Sequence, residues 1–200
     1  MKPRPFLACL LTALALTACA SSHQRTDDNR AAHTQWADDN PDPSIHIAIH
    51  PPAGYTPEPD LAERLGAYRI YSDATGHRYV ISYTPAPEAP AEALQHRLTA
   101  HAQKSNAALL EAVPGKRVAE IPPLPDDPFA RAALPTRAFA YPTGAGSDVI
   151  CDSAAIFAAT PAGIWTISWN APVGQLDQAQ SAIAEFLRSL RVERANNLTR

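Results

Sequence analysis

Seven histidines, three cysteines and 20 acidic residues carry most of the reactive chemistry of this 200-residue chain, and their spacing decides what they can do. His46 and His50 lie four apart in Ile-His-Ile-Ala-Ile-His. On a helix that spacing would present both rings on one face. The alternating isoleucines indicate a strand instead, where the two rings stand ~13 Å apart at ~3.3 Å per residue. Two direct zinc bonds of ~2.1 Å each cannot bridge that gap. His96 and His101 fall on a helical segment, but five residues apart they are roughly 140° around its axis. Cys151 sits within an apolar run, where a cysteine acts as a small buried hydrophobe. A nucleophilic role would require a histidine and a carboxylate brought to it by the fold. Ser147-Asp148 and Asp152-Ser153 place hydroxyls beside carboxylates, without the Gly-x-Ser-x-Gly elbow of a serine hydrolase. Gly144-Ala145-Gly146 is followed by a strand pattern, whereas dinucleotide binding needs strand, loop and helix. Asp126-Asp127 lies in a proline-rich loop without calcium-loop spacing and reads as a solvated turn. No catalytic, metal or cofactor motif emerges, and binding is favoured over catalysis. A hydrolase built on Cys151 or on Ser147/Asp148 is the minor alternative.

Aromatic side chains form a second group. Trp165, Ile167 and Trp169 alternate along one strand face, with Tyr68, Tyr71, Tyr79 and Tyr83 on neighbouring segments. Such rings pack a core beneath the last helix. The competing reading is a ligand or partner surface made by Trp165, Trp169, Tyr79 and Tyr83, since Trp and Tyr are enriched at interfaces.

The elements that position these residues begin at Ile45. Ile45, Ile47 and Ile49 form a half-buried strand. Ala67–Tyr71 and His77–Tyr83 form a hairpin around Ser72–Gly76. A helix runs from Pro90 to about 111, with Leu94, Leu98, Ala102 and Leu109 on one face and Pro114-Gly115 as its stop. Val118–Ile121 is a short strand, and 122–135 a long proline-rich loop. Segments 137–141, 149–159 and 164–170 make a three-strand meander. Leu176, Ala179, Ile183, Phe186, Leu187 and Leu190 give the apolar stripe of a last helix, after which 191–194 exit toward a polar tail. Strands and helices in this order define an α+β domain of antiparallel sheet with two main helices packed on it, the helices covering one sheet face.

The first residues carry an address. Lys2 and Arg4 precede an apolar run from Phe6 to Leu16, too short to cross a bilayer, which takes ~20 residues. Small residues follow, as in a secretory signal. Leu16-Thr17-Ala18-Cys19 resembles a bacterial lipobox, which implies cleavage before Cys19 and acylation of that residue. Two or more acyl chains anchor stably, whereas one is marginal. Residues 1–18 are thus expected to be a lipoprotein signal peptide, 19–44 a lipidated disordered tether, 45–194 a single α+β domain and 195–200 a frayed tail. Ala20 after the cysteine implies the outer membrane, with the domain facing the periplasm. Cleavage takes the basic count from 17 to 15 against 20 acidic residues, for a net charge near −5. That balance argues against nucleic acid as a partner. It also shows no overall basic surplus to hold the chain on anionic lipid.

The opening strand with its Pro-Gly-aromatic turn (Ile45 to Tyr55), the strand pair, the helix, the meander and a last helix ending Phe186-Leu187-Arg188-Ser189-Leu190-Arg191-Val192 resemble the PsbP/Mog1-like fold of small bacterial lipoproteins. The likeness spans most of residues 45–193 and rests largely on element order. The family hosts binding and assembly roles more than shared catalysis, so the resemblance implies no active site. The expectation is a lipid-anchored periplasmic protein, non-catalytic, that binds an envelope protein or component. The alternative is a small-ligand carrier with an aromatic-lined pocket between sheet and helices.

Overall fold

Period-two apolar patterns account for the sheets. The computed structural model describes residues 39–124, 126–143 and 151–195, with residues 176–182 described by their backbone. Seven strands form one antiparallel sheet: β2 (Thr56–Pro57), β3 (Arg69–Ser72), β4 (Arg78–Pro85), β5 (Ala119–Ile121), β6 (Thr136–Tyr141), β7 (Cys151–Thr160) and β8 (Gly163–Pro172). Their spatial order is β2-β3-β4-β8-β7-β6-β5. The expected hairpin is present as β3 and β4, and the meander as β6, β7 and β8. A separate ribbon pairs β1 (Ile45–Ile49) with β9 (Leu190–Arg194), Ile47 opposite Val192.

Four α-helices complete the described chain: α1 (Pro59–Leu65), α2 (Leu94–Ala112), α3 (Pro128–Arg131) and α4 (Leu176–Ser189). α2 buries Leu94, Leu98 and Ala102 against Phe139, Phe157 and Ile164. α1 lays Ala62 over Ile70 and Val80. Ile183, Phe186 and Leu187 of α4 pack against Tyr79, Ile167 and Trp169, together with Ile45, Ile47 and Ile49 of β1 and Phe129 of α3. Phe139 and Ala155 on one side, and Ala138 and Ile156 on the other, are neighbours in the same strands, so the two clusters occupy opposite sheet faces. The helices therefore cover both faces, which corrects the expectation that they share one. The sheet is buried on both sides, and the burial of β7 is nearly continuous along its length.

Three further differences have local causes. Residues 191–194, expected only as an exit toward the tail, belong to a strand, β9. Leu190 is buried and Val192 half-buried, while Arg191 and Glu193 are exposed. The 122–135 loop contains α3, started by Asp127, whose carboxylate accepts from Phe129 N at 2.9 Å and Ala130 N at 3.4 Å. Asp127 is 4% exposed, so it is a buried helix cap rather than part of a solvated turn. Finally, the packed chain starts before Ile45, because Asp39–Ser44 lie against the domain.

Candidate partner-binding site

The strap Asp39–Ser44 has one buried residue, Asp42, at its centre. Pro41 and Pro43 are exposed, Asn40 and Ser44 half-buried, and Asp42 is 0% exposed. Asp42 Oδ2 accepts from Trp165 Nε1 at 2.9 Å and from Thr160 Oγ1 at 2.6 Å. Its Oδ1 accepts from Ser44 N at 2.9 Å and Ser44 Oγ at 2.6 Å. A buried carboxylate is tolerated only when its lone pairs are filled, and these four donors fill them. Asn40 braces the bend: Oδ1 accepts from Asp42 N at 3.1 Å, and Nδ2 donates to Asp42 O at 3.0 Å and to Ile45 O. At the outer end Asp39 pairs with Arg69 and accepts from Tyr68 OH at 3.2 Å.

Beneath the strap lies an aromatic cluster. Trp165 meets Tyr68 edge-on at 5.4 Å and Tyr83 at 5.1 Å, with Phe129 at 6.5 Å. Burial pushes the hydroxyls of Tyr68 and Tyr83 up to about 12; Asp39 adds to the shift at Tyr68 and Asp42 to that at Tyr83. Tyr83 OH donates to Ala162 O at 2.8 Å. Arg97 donates to the carbonyls of Thr160 and Pro161 at 2.9 Å each and to that of Pro87, fixing the β7–β8 turn. Beside the clasp opens a groove of about 520 Å³, lined by Pro43, Ser44 and Ile45 together with Leu94 and Ala162 among others. That size falls in the range of ligand clefts.

The competing reading, a surface made by Trp165, Trp169, Tyr79 and Tyr83, does not hold, and the rings pack inside as core. Trp165, Trp169 and Tyr79 are 0–1% exposed, and Tyr83 is half-buried. Trp169 packs under α4 as expected of a core ring, while Trp165 packs under the strap and α3. Tyr79 stacks on Phe186 at 4.0 Å. The alternative is an aromatic-lined pocket between sheet and helices; on the α4 side that space is filled by these rings. The remaining void, lined by Tyr79, Trp169 and Phe186, measures about 10 Å³, room for one water molecule at most.

Other sequence candidates are dispersed. His46 and His50 are exposed beside the buried isoleucines of β1, as the alternation implied. His101 is edge-on to Phe157 at 5.5 Å, and burial lowers its pKa. Cys151 is buried, and its carbonyl accepts from Lys116 Nζ. Lys116 is 7% exposed, and burial lowers its pKa despite the nearby Cys151 and Asp152. Its Nζ also donates to Tyr141 O at 3.0 Å, so it ties β6 to β7. Asp126 faces Arg188 at 3.8 Å. Cys19, Gly144-Ala145-Gly146 and Ser147-Asp148 lie outside the described residues. Among the described residues no group of three or more His, Cys, Asp or Glu side chains could hold a metal ion.

Sequence reading missed two polar knots. One is the Asp42 clasp. The other is Asp73, which accepts from Thr75 N, His77 N and Thr75 Oγ1 and contacts His77 Nδ1 at 2.8 Å. His77 stacks on Trp169 at 5.9 Å, and its Nε2 lies 3.2 Å from Gln175 Oε1 at the start of α4. The only sequence signal for these knots was a polar residue flanked by turn formers, Pro-Asp-Pro and Asp-Ala-Thr-Gly.

The architecture is that of an antiparallel α+β domain, as the order of elements implied. Among solved structures, the chain is similar to LpqN of Mycobacterium tuberculosis, a protein involved in cell envelope biogenesis. The TM-score is 0.51 at 11% identity, covering 76% of this chain and 87% of that one. It also aligns with CyanoP, a cyanobacterial PsbP from Synechocystis, at a TM-score of 0.44 and 11% identity, over 74% of this chain and 92% of that one. No protein-family model matches the sequence, and no curated protein matches it.

Proposed function

We propose that this chain is a lipid-anchored protein of the bacterial cell envelope whose domain binds an envelope protein or component without catalysing a reaction. The observation that carries this reading is Leu16-Thr17-Ala18-Cys19, placed directly after a charged start and a short apolar run. Its likeness to a lipobox assigns Cys19 the acyl anchor, and Ala20 favours the outer membrane with the domain in the periplasm. The fold shared with LpqN, itself involved in cell envelope biogenesis, supports the same compartment. An anchor concentrates the domain near envelope partners, so weak binding suffices. The partner surface is best sought at the groove beside the Asp42 clasp, where the chain from the anchor meets the domain.

The anchoring step is tested by Cys19→Ala. Wild-type chain is expected to incorporate labelled fatty acid and fractionate with membranes, and the variant to do neither. A variant that remains acylated and membrane-bound contradicts the proposal.

A further inference from the structure

We propose that the Asp42 clasp is an exchangeable site for a carboxylate-bearing extended peptide, occupied in cis by the strap Asp39–Ser44 and open in trans to an acidic segment of the partner. This deepens the reading of the domain as a partner-binding module and rests on it. The first observation is how lightly the strap is attached. None of its six residues buries an apolar side chain: Pro41 and Pro43 are exposed, and the single buried side chain is the carboxylate of Asp42. Lifting the strap breaks hydrogen bonds and the Asp39–Arg69 pair and bares the Trp165 ring beneath it, whereas lifting β1 would uncover the three core isoleucines Ile45, Ile47 and Ile49. Segments with few buried apolar contacts open well below the global unfolding free energy.

The second observation is what the strap leaves behind. Trp165 Nε1 and Thr160 Oγ1 converge on one oxygen, Asp42 Oδ2. Once vacated, Trp165 Nε1 has lost its acceptor, and Thr160 Oγ1 keeps only its longer contact with Gly163 O at 3.3 Å. Buried donors demand an acceptor, and an anionic oxygen is the strongest one available. A neutral amide oxygen fits the position with less energy. The flanking groove of about 520 Å³ shares the strap as its wall, so displacement joins groove and clasp into one longer cleft. That shape takes an extended chain with small or proline residues on either side of an acid, as the strap itself has in Asn40-Pro41-Asp42-Pro43-Ser44.

The test uses the full-length chain in detergent, with the synthetic peptide Asn-Pro-Asp-Pro-Ser-Ile-His and its counterpart bearing Asn for Asp. Binding is read from the indole N–H signal of Trp165, assigned by its loss in Trp165→Phe. Asp42→Ala, confirmed folded by circular dichroism, is expected to bind the Asp peptide at least tenfold more tightly than wild type, with a shift of that signal. The Asn peptide is expected to bind at least tenfold more weakly. Equal binding of the two peptides, no binding to folded Asp42→Ala, or exchange of straps between copies seen as dimers in place of peptide binding would each overturn the proposal. Hydrogen exchange of the wild type keeps the idea testable should Asp42→Ala fail to fold. The Ser44 amide, which donates to Asp42, is expected to exchange at least tenfold faster than the β1–β9 ladder, and equal rates contradict a releasable strap. Cys19→Ala leaves these readouts unchanged, so failure of the clasp and failure of the anchor are distinguishable.

Discussion

Asp42 and Trp165, separated by 122 intervening residues, are joined by a 2.9 Å hydrogen bond between two fully buried side chains. The bond fixes the point at which the N-terminal chain becomes part of the domain. It also explains why Trp165, on the same strand face as Trp169, has a different cover: polar strap and α3 over the one, helix α4 over the other.

Removing the carboxylate should therefore be costly. Asp42→Ala leaves Trp165 Nε1 without its acceptor and Thr160 Oγ1 with only Gly163 O at 3.3 Å, and loss of charge-assisted bonds of this kind costs ~2–4 kcal/mol. Urea denaturation is expected to show the unfolding free energy lowered by that amount, through a lower midpoint with the slope unchanged. A shift below about 0.5 kcal/mol would mean that the strap carries no such bond in solution.

How far the sequence reveals this fold depends on the range of the signal. The isoleucine alternation of β1, the hairpin and the meander are legible because one face of each strand repeats locally. β9 is not, because Leu190 and Val192 give only two inward positions directly after a helix, and their partner β1 lies some 140 residues away. α1 carried local marks, Pro59 at its start and Gly66 at its end, which the pattern around Leu61 and Leu65 was too short to reinforce. The Asp42 clasp was illegible for a different reason. A lone aspartate between prolines reads as solvated tether until a distant tryptophan and threonine converge on it.

A tight approach at the β7–β8 turn gives a second expectation. A Cβ on Gly163 would lie 2.5 Å from Thr84 O and 2.6 Å from the Tyr83 ring. Gly163→Ala must push Tyr83 from its place against Trp165, and such overpacking costs about 1–3 kcal/mol. Thermal unfolding monitored by tryptophan fluorescence should show a lowered midpoint and an altered Trp165 environment. An unchanged spectrum with unchanged midpoint would contradict this packing.

The opposite sign is expected at the end of α3. Ala133 has φ 56°, a conformation that glycine adopts freely and alanine does not. Its N–H donates to Ala130 O at 2.9 Å, and its carbonyl accepts from Arg194. Ala133→Gly relieves the strain and should stabilise the domain by up to about 1 kcal/mol, offset in part by the freer unfolded chain. Chemical denaturation in which this variant is clearly less stable than wild type would refute the assignment.

Acid sensitivity should trace in part to Asp73. Burial acts to raise its pKa, but hydrogen bonds from His77 and Thr75 outweigh that and hold it below the ordinary carboxylate value. With the folded value below the unfolded one, the contribution is full above the unfolded pKa of ~3.9 and is lost as pH falls through the folded value. Stability measured from pH 7 down to pH 2 should therefore fall less steeply on the acid side for Asp73→Asn than for wild type. Parallel curves would show that the Asp73 turn is not formed as described.

The measurement that bears most directly on anchored partner binding is in-cell crosslinking of the wild-type chain and of Cys19→Ala, followed by identification of the adducts. Wild-type chain is expected to capture a discrete envelope component, with capture weakened at least tenfold when the anchor is removed. Capture of no discrete component, or an identical adduct pattern from a Cys19→Ala chain that stays on the membrane, would contradict it.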